Sequence, residues 1–588
     1  MNRKLTLCWV AAMLCCSAGA AAAQYSQQAE PLGPEVAVSS PVRFPMLLSA
    51  NYGELRGNHF HSGIDIKTQG VIGKPIYAIA DGTVARIAVS PSGFGKALYM
   101  DHPDGTTSVY GHLERFTDEI EDYIHEIQYA RRSFAVDVTP PAGMFHYQRG
   151  EQIAVSGNRG SSGGPHLHLE VRETASQRPL NILARGILEV NDSIPPRPVV
   201  LYYIEIDTVQ GVPVHTMRQK RTVRRDAATG VYMIQDTSAL RVSRNGYFAV
   251  EAAEKKNGTA NPMGIYTFDV LYDGEEAFSM EVDRVPFDVG RYCYAAALYP
   301  QSRKTRNGVY KLYRGPHNRL PLYGRGLNGV LTLADRETHR VEVVMYDDCG
   351  NSSTLVVPVV WGLQPRKERP QGIPVKWSED FRYDEGGLSL TIPQKALFES
   401  ILLDLSTKAR PSYAYSPLYV VHTADVPVYG SMTVQIDASE LPEYLRDKAL
   451  VGSVSANGHR SSAGGAWKEG KVTTKTRSFG TFYIAVDTVA PRITPKFKDN
   501  DDFSSRRSMS VKISDDFSGV ASYSATIDGE WALFEYDPKS ATLTHYFDDT
   551  RWDRGVVHTL KLTVRVTGRP RRSDTNDNGY ETIRRNNL

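Results

Sequence analysis

Residues 163–170 read GGPHLHLE, and the alternation in that stretch decides the fold class. Side chains two apart on a strand point to the same side, so His166, His168 and Glu170 share one face and Leu167 and Leu169 the other. The leucine face packs, and the histidine face is left for chemistry. The small residues of the preceding SSGGP allow close backbone approach, and Pro165 fixes the chain as it enters the strand. Outward from here, further strand-like segments follow at short spacing: GKPIYAIA, GTVARIAV, KALYMDH, TSVYGHL and EQIAVSG. They alternate or are β-branched, and turn signals such as Asp81-Gly82 and Asp104-Gly105 separate them. Residues 46–190 are therefore expected to form one antiparallel β-sheet domain. One segment breaks the pattern: in TDEIEDYIHEIQYARR, Ile120, Ile124 and Ile127 recur at helical spacing. Asp118 and Glu119 stand at its front and Arg131 and Arg132 at its back, where they complement a helix dipole. The spacing predicts an inserted helix, either a solvated brace or a wall of a substrate groove.

Two more stretches carry chemistry. HFHSGID, residues 59–65, offers His61 and Asp65, with Gly63 between them to permit a bend, and YGHL offers His112. His59, two residues before His61, competes with it as a ligand. A structural zinc site is normally closed by four protein ligands, whereas a catalytic one uses three and leaves the fourth position to water. Two histidines and an aspartate, with two further histidines beside them, are of the second kind. Zinc held in this way lowers the pKa of a bound water to about 7 and polarises a scissile carbonyl. His102, His125 and His146 are read as ordinary surface or core histidines. Arg56 is a candidate to bind a substrate carboxylate. Glu170 is a candidate to hold the second N–H of a ligand imidazole, although a surface position is expected for it.

Taken together, NYGELRGNHFHSGIDIKTQG, YGHL and GGPHLHLE resemble the lysostaphin-type (LytM-like) zinc endopeptidases, which cut peptide cross-links of bacterial peptidoglycan. The resemblance covers residues 45–175, with every motif position in the family's order. It implies that His61, Asp65 and His168 are ligands to one Zn2+ per chain, and that His112 and His166 form the catalytic pair beside it. It disfavours His59 as a ligand and makes peptidoglycan peptides the substrate, with Arg56 a candidate for a stem-peptide carboxylate. The segment from Thr117 to Arg149 is long for the family. The alternative reading is a catalytically silent relative that binds peptidoglycan or activates another hydrolase. Such relatives typically lack a ligand, and this chain lacks none.

At 588 residues the chain exceeds what one core supports, so several domains are expected. A net charge of +2 with 23% charged residues gives no whole-chain reason to propose nucleic acid or an anionic membrane as partner. Asn2, Arg3 and Lys4, the apolar LTLCWVAAMLCC and the small-residue SAGAAAAQ follow the order of a secretory signal peptide, residues 1–23, cleaved near Ala23. Export across the inner membrane to the periplasm or cell surface is expected, with no membrane-spanning segment after the signal is removed. Residues 24–45 read as a polar lead-in. Beyond the peptidase domain the chain is mainly β, and the acidic, Pro-rich joints NDSIPPRPVV at 191 and DTVAPRITPK at 487 mark domain starts. They divide it into an immunoglobulin-like β-sandwich at 191–364, a β-rich domain at 370–486 and a second immunoglobulin-like domain at 487–588. These modules are expected to meet an envelope protein partner. Cys293 and Cys349, which remain after signal removal, either stay free or form a disulfide. A bridge would close a loop of roughly 57 residues and stabilise by about 4 kcal/mol.

Overall fold

The computed structural model describes residues 37–566, except 237, 325, 326, 365, 367, 369 and 554, together with residues 586 and 587. The expected signal peptide, the first part of the lead-in and the basic stretch at 567–585 lie outside the described residues. The protein is mostly β throughout.

The alternating segments of the N-terminal block form β1 (Leu48–Ala50), β2 (Ile64–Lys67), β3 (Pro75–Tyr77), β4 (Gly82–Val89), β5 (Lys96–Asp101) and β6 (Thr106–Phe116). After the inserted helix α1 (Asp118–Arg131) come β7 (Val136–Val138), β8 (His146–Tyr147), β9 (Gln152–Ser156) and β10 (His166–Glu173). The sheet runs β1-β2-β10-β6-β5-β4-β7, with β8 on β4 and with β9 joining β3 to β6, and every pairing is antiparallel. The HLHLE strand lies at the centre. Its Leu167 and Leu169 are fully buried against Ile64, Ile66 and Tyr110 in one core. Side chains of that size each gain about 1.5–3 kcal/mol from burial.

Helix α1 buries Ile120 and Ile124, and Arg132 in the left-handed region (φ 49) ends it. Lys96 on β5 holds it through Glu121, at 2.8 and 2.9 Å. Its outer face is a docking surface for the last β module. Arg551 lies 3.7 Å above the Tyr129 ring and pairs with Glu126 at 2.8 Å, and Trp531 meets Tyr129 edge-on at 5.2 Å.

Residues 197–361 form one continuous eleven-stranded sheet around a single main core, with Val212–Arg225 pairing to both of its halves. Arg197–Val209 pairs with Val212–Arg225 and Asn245–Ala253, and Thr338–Tyr346 pairs with Ser352–Trp361 across the Asp-Asp-Cys-Gly-Asn turn. Ser352–Trp361 also runs parallel to Tyr232–Ile234 and Leu240–Val242, a pairing that the hairpin pattern alone does not suggest. The core of this unit extends into the N-terminal block, because Tyr52 and Phe60 pack within it. Residues 373–486 form two five-stranded sheets and a two-stranded one around their own core, and residues 492–566 a smaller pair of sheets. Cys293 and Cys349 are free thiols: Cys293 is buried in the core of the second unit, and Cys349 stands in the exposed turn after Tyr346, 3.4 Å from the ammonium of Lys256. No helix among the described residues is long and apolar enough to cross a membrane.

Candidate metal centre

Three neighbouring central strands converge on one spot. On β2 and β10, Asp65 stands directly opposite His168, and His168 in turn faces Gly111 of β6. His61 enters from the β1–β2 connection, which Gly53 N–H to His61 O (2.9 Å) and His61 N–H to Glu54 O (2.8 Å) hold in place. Gly63 matters here for close approach to β10: a Cβ there would fall 2.2 Å from the Leu169 carbonyl oxygen.

His61 Nε2, Asp65 Oδ1 and His168 Nδ1 form a near-equilateral triangle, with separations of 3.0, 2.9 and 3.0 Å, all three residues being buried. Hydrogen bonds on the far side of each imidazole set the tautomers. His61 Nδ1 donates to the Asn51 carbonyl at 2.7 Å, and His168 Nε2 donates to Glu170 Oε1 at 2.9 Å. Three lone pairs therefore meet with no hydrogen between them unless a proton or a cation is supplied. Donors about 2.0–2.2 Å from one zinc ion lie at about this spacing from each other, and imidazole with carboxylate is a zinc donor set. The residues fit the metal.

The electrostatics are those of a cation site. Burial pushes the Asp65 carboxyl upward, but His61 and the bonds from His166 and His168 outweigh it and hold Asp65 well below the usual carboxylate range. Burial lowers His61. Burial also works to lower His168, yet its bonds to Asp65 and Glu170 raise it to about 9. Glu170 is fully buried, not at the surface as expected. Burial opposes its ionisation, but Arg172, His168 and Ser62 bring it to about 2. Arg56 is committed to Asp65 Oδ2 and Glu54, each at 3.0 Å, so its charge serves the site itself. His59 is exposed and bonded to Asn58 at 2.6 Å, outside the triangle.

His112 and His166 stand beside these donors with ring centroids 4.7 Å apart. His112 sits at an irregularity where the β5–β6 register skips between Leu98↔Tyr110 and Lys96↔Leu113, and its own φ is +59. A non-glycine residue in the left-handed region stores strain that neighbouring contacts must hold. They do: its N–H donates to Phe94 O and its Nδ1 to Arg159 O, both at 2.8 Å. Burial, with the neighbouring His168 and His166, lowers His112 to about 3. His166 Nδ1 donates to Gly164 O at 2.8 Å, and its Nε2 lies 3.4 Å from Asp65 Oδ1. In both histidines Nδ1 is tied to a carbonyl, which leaves Nε2 as the nitrogen available for proton traffic, in His166 beside Asp65. His102 is a buried structural histidine bonded to Asp81 O and Ser108, whereas His125 and His146 lie on α1 and β8 away from the centre.

Reading the sequence did not pick out Phe94, whose ring stacks on His168 at 4.8 Å, nor the Arg159 fork. Arg159 bonds Glu114 at 2.6 and 3.1 Å and Glu535, from the last β module, at 2.9 Å. The glycine-spaced SPSGFG was the available signal for the first; nothing local pointed to the second.

Residues 59–128 match the sequence model of peptidase family M23, and residues 373–487 that of a Zu5-like domain. A protein of Haemophilus influenzae described as an uncharacterized metalloprotease is 31% identical over 155 residues, 25% of this chain and 26% of that protein, so the match spans about a quarter of the curated relative. Among solved structures, the chain is similar to the catalytic domain of the M23 protein EnpA from Enterococcus faecalis, at 24% identity over 23% of this chain and 88% of that one, with a TM-score of 0.18. It is also similar to the catalytic domain of lysostaphin from Staphylococcus simulans, at 24% identity over 22% and 80% of the two chains, with a TM-score of 0.16.

Proposed function

We propose that this chain, whose residues 59–128 match the model of peptidase family M23, is an exported zinc endopeptidase that hydrolyses peptide cross-links of bacterial peptidoglycan. The observation that carries the reading is the convergence of three potential ligand atoms, His61 Nε2, Asp65 Oδ1 and His168 Nδ1, next to two histidines whose Nδ1 atoms are tied to carbonyls. Held by these three residues, one zinc ion would supply Lewis acidity toward the scissile carbonyl and would acidify a water.

The chain's own residues do the rest. His112 and His166 present Nε2 toward the reacting atoms, where they orient the attacking water, take up its proton and return it to the leaving amine. A protonated imidazole at either position also donates a hydrogen bond to the developing oxyanion. Glu170, Asn51, Arg159 and Gly164 fix the tautomers, so no ring has to reorient during turnover. The signal-like residues 1–23 support a site of action in the periplasm or at the cell surface. The β modules support a role in meeting an envelope protein.

Incubation of the zinc-loaded chain with purified sacculi, with and without a chelator, tests this reading. New amino groups and shortened cross-links that disappear with the chelator are expected. Chelator-insensitive release refutes it, and binding to sacculi without any release assigns the chain to the silent, hydrolase-activating class.

A further inference from the structure

Asn51, the residue after β1, is fully buried, and all of its side-chain hydrogen bonds leave the peptidase domain. Its Nδ2 donates to Gly264 O at 3.0 Å and to Asp348 Oδ2 at 2.8 Å, and its Oδ1 accepts from Gly264 N–H at 2.7 Å. Both partners belong to the sandwich of residues 197–361. The Asn51 main-chain carbonyl is the atom that accepts from His61 Nδ1 and so fixes which His61 nitrogen faces the metal position.

The grip on Asn51 is itself anchored. Asp348 Oδ1 pairs at 2.5 Å with the ammonium of Lys256, which also holds Asp192 at 3.0 Å and Asp347 at 3.2 Å, all with buried side chains. A buried cation shared among carboxylates leaves Asp348 little freedom to rotate, since moving it would strand charge away from water. Gly264 approaches so closely that a Cβ there would lie 2.7 Å from Glu54 N and 2.9 Å from Gly53 C. Next to Asn51, Tyr52 accepts from Val285 N–H at 2.8 Å while donating to Pro179 O at 3.1 Å, and its ring sits in the sandwich's own core.

We infer that Asn51 is a positioning residue through which the 197–361 sandwich sets the orientation of the first metal ligand, so that the metal centre is completed by two modules. This rests on reading the His61–Asp65–His168 triangle as a zinc site. A carbonyl shifted by a fraction of an ångström turns the imidazole that bonds to it, and loss of such an outer partner costs about 10–100-fold in metal affinity.

Zinc affinity of the full chain, by competition with a chromophoric chelator, and the visible spectrum of the Co2+-loaded chain test it without reference to catalysis. Asn51→Ala removes the grip, and Asn51→Asp keeps its shape while setting a carboxylate against Asp348. Both are expected to bind zinc about 10–100-fold more weakly and to shift the Co2+ spectrum. Asn51→Asp combined with Asp348→Asn restores a donor–acceptor pair between the two positions, although Gly264 O stays without its donor, and is expected to recover part of the loss, which a purely structural role would not produce in the folded protein. Should Asn51→Ala not fold, Gly264→Ala, which crowds Gly53 and Glu54 while removing no side-chain bond, is expected to weaken zinc in the same direction. Folded variants with wild-type zinc affinity and spectrum overturn the inference, even if they melt at lower temperature. A wild-type chain that holds no zinc overturns the reading of the triangle instead, and the inference with it.

Discussion

Zinc uptake by this chain should release a proton, and the structure says which one. In the metal-free protein His168 bonds Asp65 through Nδ1 at 2.9 Å and Glu170 through Nε2 at 2.9 Å, and a histidine between two carboxylates keeps both protons. Burial works against this charge, but the two bonds prevail and the group titrates at about 9. Zinc needs the Nδ1 lone pair, so the proton on it must leave first. At pH 7 the penalty covers two pH units, roughly 100-fold in affinity. Affinity should therefore rise about tenfold per pH unit from pH 7 and level off near pH 9. Because the folded-state value lies above the ordinary 6.5, the same group stabilises the metal-free fold below pH 6.5 and loses that contribution as pH rises through 9. Glu170 runs the other way: lowered from 4.5 to about 2, it stabilises above pH 4.5 and loses that contribution as pH falls through 2. The two values share one bond and do not add. The contributions of these two groups are thus both full between about pH 4.5 and 6.5, whereas His61 and His112, held below the ordinary histidine value, cost stability as pH falls below 6.5, and the zinc-loaded chain gains stability toward pH 9. Calorimetry in buffers of different ionisation enthalpy counts the protons, with about one expected per zinc at pH 7. Affinity that is flat from pH 7 to 8.5, with no proton released, refutes the account.

Further outcomes follow from the same geometry. His168→Ala should lose zinc and activity together, whereas His112→Ala should keep most of the zinc and lose activity, as metal analysis beside an amine-release assay will show; unchanged metal content in His168→Ala would overturn the ligand assignment. Glu535→Ala removes one arm of the Arg159 fork, whose carbonyl holds His112, from a pair with side chains only 13% and 26% exposed. It should lower stability by about 1 kcal/mol and reduce kcat with zinc affinity intact, measured by melting and by initial rates. Peptide mapping without reductant should find no Cys293–Cys349 cross-link, in line with two free thiols.

The sheet of the peptidase block was legible because period-two alternation survives wherever one face meets a core. HLHLE announced both its leucine face and its histidine face, and Leu167 and Leu169 are fully buried. The inserted helix was legible from Ile120 and Ile124 at helical spacing, but its role was not: the contacts on Tyr129 and Glu126 come from residues 531 and 551, more than 400 positions away in the chain. Glu170 misled for a related reason. On alternation alone it belongs to the polar face, and only the arrival of Ser62 and Arg172 turns that face into an interior where a carboxylate is fully satisfied.

What stayed invisible shares one physical cause. Residue types that bind metal or move protons are few, so their coincidence in a sequence carries information; main-chain carbonyls are present at every position, so their use carries none. The tautomers of His61, His112 and His166 are set by the carbonyls of Asn51, Arg159 and Gly164. Two of those three carbonyls belong to residues whose side chains are gripped by other modules, Asn51 by Asp348 and Gly264, and Arg159 by Glu535. The motifs name the atoms that meet the metal and the substrate, but the direction in which those atoms point is decided by β modules that carry no catalytic motif. A peptidase domain cut at a boundary drawn from its motifs would keep every one of the five site residues and lose the contacts that aim two of them.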